Sequence, residues 1–145
     1  MGKFKYFTLR EFVYSDTAKA RRIDNTPEFE HVDHLAALIM TILDPLRDAW
    51  GSGLNVTSGY RCRALNTAVG GVYNSFHQLG YAADIVPANG KLKEFMAFAE
   101  KWLHDTHTPF DQSIKEKDRK GNEWWHIALY SNNGTQRRQY LSLTK

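Results

Sequence analysis

One cysteine, four prolines and no long apolar run set the first limits on this chain. A lone thiol, Cys62, cannot form an internal disulfide, so the fold does not depend on an oxidising compartment. The N-terminus, Met1-Gly2-Lys3-Phe4-Lys5-Tyr6, lacks the apolar core of a secretory signal. No stretch approaches the roughly 20 apolar residues of a membrane span. Synthesis and folding in a cytoplasm are expected, with action elsewhere only after release. Internal repeats, low-complexity tracts and linkers are also missing. Basic residues are scattered, and the densest groups, Lys19-Arg21-Arg22 and Arg137-Arg138, are too short for a nucleic-acid arm. No nucleic-acid partner is expected.

What remains is an ordinary globular composition. The 145 residues are 42% apolar and 24% charged, with a net charge of +3. That is enough chain for one domain, residues 1–145, with a sizeable core. A monomer is expected.

Patterning divides the chain into helices first and strands later. Thr8-Leu9-Arg10-Glu11 fits a capping box and starts a short helix. Asn25-Thr26-Pro27 reads as a helix start, with proline in the first turn. Val32, Leu35, Ile39, Ile42, Leu46 and Trp50 then recur every three or four residues, as one buried stripe. Pro45 should kink or split that helix, and Gly51 should stop it. Leu54–Ser58 alternates like a strand, and Arg63–Val69 reads as a short helix. Tyr81–Val86 reads as a buried strand, with Pro87 at its end. Leu92, Phe95, Met96, Ala99, Trp102 and Leu103 mark a second amphipathic helix. Phe110–Glu116 and Glu123–Tyr130 read as strands joined by the polar turn Asp118-Arg119-Lys120-Gly121-Asn122. The expected fold class is α+β, a small and mainly antiparallel sheet with helices packed on it.

Chemistry concentrates in two segments. Ser75-Phe76-His77-Gln78-Leu79-Gly80-Tyr81-Ala82-Ala83-Asp84 holds an imidazole and, six residues on, a carboxylate. Glu123-Trp124-Trp125-His126 adds a second imidazole. Two histidines and an aspartate are the ligands of a catalytic zinc that keeps a fourth position open for water. Asp84 lies within Ala82-Ala83-Asp84-Ile85-Val86, where burying a carboxylate is costly unless a cation or donor meets it. Iron oxygenases use the same ligand types, but with a carboxylate much closer to the first histidine, so zinc is favoured. Glu123 is a candidate to take a proton from the bound water. Residues three apart in a regular strand point to opposite faces, so Glu123 reaches the metal only if the backbone bends. Glu116 is its rival, at the end of the neighbouring strand. Trp124 and Trp125 either floor a substrate cleft or belong to the core. His31 and His34 share a helix face that reads as solvated.

Taken together, Ser75-x-His77-x-x-Gly80-x-Ala82-x-Asp84 and Glu123-x-x-His126 resemble the zinc D-alanyl-D-alanine carboxypeptidases and their relatives. These include D-Ala-D-Ala dipeptidases and L-alanyl-D-glutamate endolysins of phage. Ser58-Gly59-Tyr60-Arg61, Asn66 and Val69-Gly70-Gly71 extend the likeness. Asp24-Asn25-Thr26-Pro27 and Leu43-Asp44-Pro45-Leu46-Arg47 resemble the phage-associated branch. The resemblance implies a hedgehog/DD-peptidase-like fold and a zinc ion held by His77, Asp84 and His126. It implies Glu123 as general base and Arg61 as the group that binds the substrate carbonyl and its oxyanion. Ser75 would orient a ligand or simply shape the turn. The implied substrate is a peptidoglycan stem peptide, cut at a bond involving a D-amino acid. The competing expectation is an inactive wall-binding or phage structural module that keeps the fold.

Overall fold

The computed structural model describes residues 4–144. The helices are α1 (Leu9–Val13), α2 (Asp16–Arg21), α3 (Phe29–Leu38), α4 (Asp44–Trp50), α5 (Arg63–Ala68) and α6 (Leu92–Thr106). The strands are β1 (Leu54–Ser58), β2 (Ala82–Pro87), β3 (Gln112–Lys117), β4 (Glu123–Ala128) and β5 (Gln139–Thr144). Among the described residues the strands form one sheet in the order β1-β2-β4-β3-β5. Every neighbouring pair is antiparallel except β3 and β5. The fold is therefore α+β with a mostly antiparallel sheet.

Sheet alternation separates the core from the chemistry. Ala83, Ile85, Trp125 and Ile127 lie on one face and join the hydrophobic core. Trp125 meets Phe95 of α6 edge-on, with ring centroids 5.4 Å apart, and Phe95 in turn meets Trp50 of α4 at 5.3 Å. Asp84 and His126, directly opposite each other across β2 and β4, point to the other face.

Local chemistry explains most element boundaries. In α1 the Glu11 carboxylate accepts the Thr8 backbone N–H at 2.7 Å, as the capping-box spacing predicts. Gly51 ends α4 in the left-handed region, with φ of 79°. Asp118 shapes the β3–β4 turn by accepting the Lys120 and Asn122 backbone N–H groups.

One expectation needs correction, and another takes a particular form. The helix begins at Phe29, not near Asn25. Asn25 is instead a buried tie. Its amide donates to the carbonyls of Val13 at 2.8 Å and Tyr60 at 3.0 Å, and its oxygen accepts the Cys62 N–H at 2.8 Å. The expected kink or split at Pro45 takes the form of a division just ahead of it, with the proline in the first turn of α4. Between α3 and α4 the chain stays helical but widens into a π turn, Ile39–Leu43, where the Asp44 N–H reaches back to the Ile39 carbonyl. A proline lacks an N–H and crowds the carbonyl four residues earlier, and one wider turn relieves both problems. β5 was not anticipated at all.

Gly59 packs so tightly that a side chain has no room. A Cβ there would stand 2.4 Å from the Phe12 carbonyl oxygen, which also accepts the Tyr60 N–H. Gly59→Ala is expected to cost about 1–3 kcal/mol of stability, measured by denaturant unfolding, because backbone rather than a flexible side chain must yield.

Candidate metal centre

His77 sits on a single 3-10 turn, Phe76–Leu79, that Gly80 ends with φ of 80°. A Cβ at Gly80 would stand 2.6 Å from the His31 carbonyl oxygen, so this tight approach to α3 requires glycine. His34 of α3 secures the same turn. Its Nδ1 donates to the Leu79 carbonyl at 2.6 Å, and its ring stacks on Tyr81 at 4.0 Å. The expected solvated face of His31 and His34 is thus a packing surface, with His31 stacked on Tyr60 at 5.0 Å.

The three ligand candidates converge. His77, Asp84 and His126 are all buried, and one ligand atom from each lies within 4.8 Å of the others. Asp84 Oδ1 stands 3.2 Å from His77 Nε2 and 3.0 Å from His126 Nδ1. The orientation of His77 is decided by its other nitrogen. Nδ1 faces the Gly59 carbonyl at 2.7 Å, and a carbonyl only accepts, so Nδ1 carries the proton. In a neutral ring Nε2 then presents a lone pair to an anionic oxygen. Two acceptors at that separation repel unless a cation lies between them.

Protonating His77 would also relieve the repulsion, but burial lowers its pKa, outweighing the attraction of Asp84. Burial alone would raise the Asp84 carboxyl. Positive charge at the His77 position and donation from His126 overcome that and hold it well below the usual carboxylate range, and with His77 neutral that charge falls to a bound cation. A carboxylate with neutral imidazoles is the state in which a metal binds. Nitrogen, nitrogen and oxygen donors with the other ring nitrogen of His77 anchored fit a zinc ion.

A family model described as Peptidase M15 matches residues 5–127. This chain belongs to the M15 peptidase family. No curated protein matches it. The matched stretch of this M15 chain contains all three ligand candidates and ends before β5, and the membership makes it a metallopeptidase acting on peptides.

The other predicted residues separate by strand parity. Glu123 is exposed and lies on the Trp125 side of β4, opposite His126, with Lys117 as its cross-strand partner. The backbone bend needed to bring it to the metal is not there, which corrects its expected placement. Glu116 occupies the His126 face of β3. It is only 6% exposed, and its Oε1 stands 3.7 Å from His126 Nδ1. Trp125 is fully buried in the core, its indole N–H donating to Ser113 Oγ at 2.8 Å, so it floors no cleft. Trp124 shares the His126 face, opposite Glu116.

Arg61 and Ser75 join the cluster. The Arg61 guanidinium donates to Ser75 Oγ at 3.3 Å, and its backbone N–H donates to the His77 carbonyl at 3.1 Å. Ser75 Oγ also accepts the His77 N–H at 3.2 Å, so one hydroxyl fixes both neighbours. Burial lowers the Arg61 pKa, opposed by Asp84 and Glu116, and an arginine so placed stays a cation at neutral pH.

These groups face a cleft of about 180 Å³ that also touches Val72, Asn74, Gln112, Ile114 and Leu143. None of those five was singled out in the sequence. Gln112, Ile114 and Glu116 share one period-2 face of β3, a signal present in the alternation. Leu143 had no such signal, because β5 itself went unseen.

Zinc titration by calorimetry should find one ion per chain. His126→Ala should weaken it by more than about 100-fold. A proton on His77 competes with the metal, and burial lowers that proton affinity. Affinity should therefore persist from pH 8 to beneath the ordinary histidine value of about 6.5 and weaken only in more acidic solution.

Proposed function

We propose that this protein is a zinc peptidase that hydrolyses peptidoglycan stem peptides at a bond involving a D-amino acid. The observation that carries the chemistry is the convergence of His77, Asp84 and His126, the two histidines lining one cleft with Glu116 and Arg61. The substrate class rests on the resemblance of the Ser75–Asp84 and Ser58–Arg61 segments to enzymes of that specificity.

Zinc held by the three ligands would supply Lewis acidity, making its water easier to deprotonate and polarising the scissile carbonyl. The protein supplies the remaining chemistry. Glu116, not Glu123, is the base in this reading. Its carboxylate takes a proton from the attacking water as the oxygen bonds to the carbonyl carbon. The same proton passes to the departing amine as the C–N bond breaks, which restores the carboxylate. Arg61 faces the carbonyl oxygen, where negative charge develops, and Ser75 keeps its guanidinium from swinging away. Burial strengthens each of these interactions, because little water remains to screen them.

Digestion of purified peptidoglycan sacculi, with products weighed by mass spectrometry, tests the proposal. Chelation should abolish release and zinc should restore it. Glu116→Gln should lower the rate by about 10²–10⁴ while still binding zinc. Arg61→Ala should lower it by about 10²–10³, and Glu123→Gln should stay near wild type. Release that survives chelation, or a Glu116→Gln protein at full rate, overturns the assignment. Zinc binding without any hydrolysis would favour a wall-binding module instead.

A further inference from the structure

Part of the cleft wall is apolar. Val72, Ile114 and Leu143 line the same space as His77, His126, Glu116 and Arg61. Sheet register places two of the three. Ile114 is the cross-strand neighbour of His126, and Leu143 that of Glu116. Both therefore share the sheet face that carries Asp84 and His126. Ile114 is buried, whereas Leu143 is 46% exposed and Val72 is 64% exposed. Leu143 is thus an open apolar side chain on an edge strand, a placement that invites unwanted pairing. It stands beside the proposed base, where a bound substrate would cover it. Leu143 also lies outside the stretch that matches the family, which ends at residue 127.

Charge narrows what can rest against this wall. An acidic side chain would be repelled by Glu116. Among the described residues lining the cleft, Arg61 is the one arginine or lysine that could offset that repulsion. Its guanidinium is committed to the carbonyl oxygen in the reading above. A basic side chain would pair with Glu116 and lower its proton affinity where a base is needed. An aliphatic side chain has neither drawback, and its contact with Leu143 takes apolar surface of both out of water. The cleft of about 180 Å³ must also hold the scissile peptide unit, so that side chain is short.

From this wall we infer that Leu143 is a specificity-determining residue. With Ile114 and Val72 it receives a short aliphatic side chain from one of the two residues joined by the scissile bond. The inference rests on the peptidase reading and adds to it a group that selects the substrate. β5 is then part of the substrate site as well as a border of the sheet.

A mutant cycle between enzyme and substrate tests this. Synthetic stem peptides carry glycine, alanine or aspartate at each of the two positions flanking the bond that the zinc-loaded full chain cuts. At one of those positions kcat/KM should rise about fourfold from glycine to alanine, the worth of one buried carbon. Aspartate there should be cut more slowly than glycine. Leu143→Ala should lower kcat/KM for the alanine peptide by about fourfold, leave the glycine peptide within about twofold, and still bind one zinc. Leu143→Met, of similar volume, should keep the preference. Leu141→Ala, on the same face of β5 but not lining the cleft, should cut both peptides at the wild-type rate. The inference is overturned if Leu143→Ala slows the glycine and alanine peptides equally, or if Leu141→Ala reproduces its effect. Aspartate accepted as well as alanine at both positions overturns it too. Cleavage of no peptide and of no sacculi would sink the peptidase reading itself, and this inference with it.

Discussion

A carboxylate facing two imidazoles in a dry part of the sheet is the constraint around which the rest of this structure is organised. Asp84 and His126 are register partners across β2 and β4, so the sheet's own hydrogen bonds fix their separation. His77 arrives from outside the sheet on a single helical turn. An anion so placed is unstable without positive charge, and burial lowers the proton affinity of the His77 imidazole that faces it. A divalent ion meets that requirement, and the Gly59 carbonyl turns His77 to leave the correct nitrogen free for it.

Bringing His77 to the sheet takes several backbone contacts that involve no reacting group. Gly59 allows the chain to press against Phe12, and that same residue's carbonyl orients the ring. Gly80 allows the turn to press against α3, and His34 pins the turn's last carbonyl. Asn25 holds Tyr60 and Cys62, the two residues flanking Arg61. The guanidinium is thereby held at both ends, by backbone ties at its root and by Ser75 at its tip. Preorganisation of this kind is what gives a charged group leverage on a transition state, since nothing has to reorient as charge develops.

The sequence was most readable where a single physical signal dominated. The three ligand candidates stood out because charged and imidazole side chains in apolar strands need explanation, and the structure gathers all three. Capping at Thr8, the stop at Gly51 and the polar turn after β3 followed from local chemistry that tertiary context did not override. Asn25 misled because asparagine before proline looks like a helix start, whereas its long-range bonds to Val13 and Tyr60 leave no local trace. Glu123 shows the limit of motif spacing. Strand parity already argued against it, and a regular β4 upholds that parity, putting Glu116 on the metal's face. β5 was missed because its residues are mostly exposed, and its pairing with β3 is parallel and distant in sequence. Nothing local announces such a partner.

The position of β5 gives the two sides of the cleft different mechanical characters. β3 lies between β4 and β5, so the backbone carrying Glu116 is hydrogen-bonded on both sides and held in place. β5 is an edge strand, and among the described residues no strand pairs with its outer side. Leu143 therefore hangs on an edge strand, and edge strands exchange and fray before interior ones. Glu116, the base in the proposed reaction, thus sits on the stiff side of the cleft, and Leu143 on its yielding border.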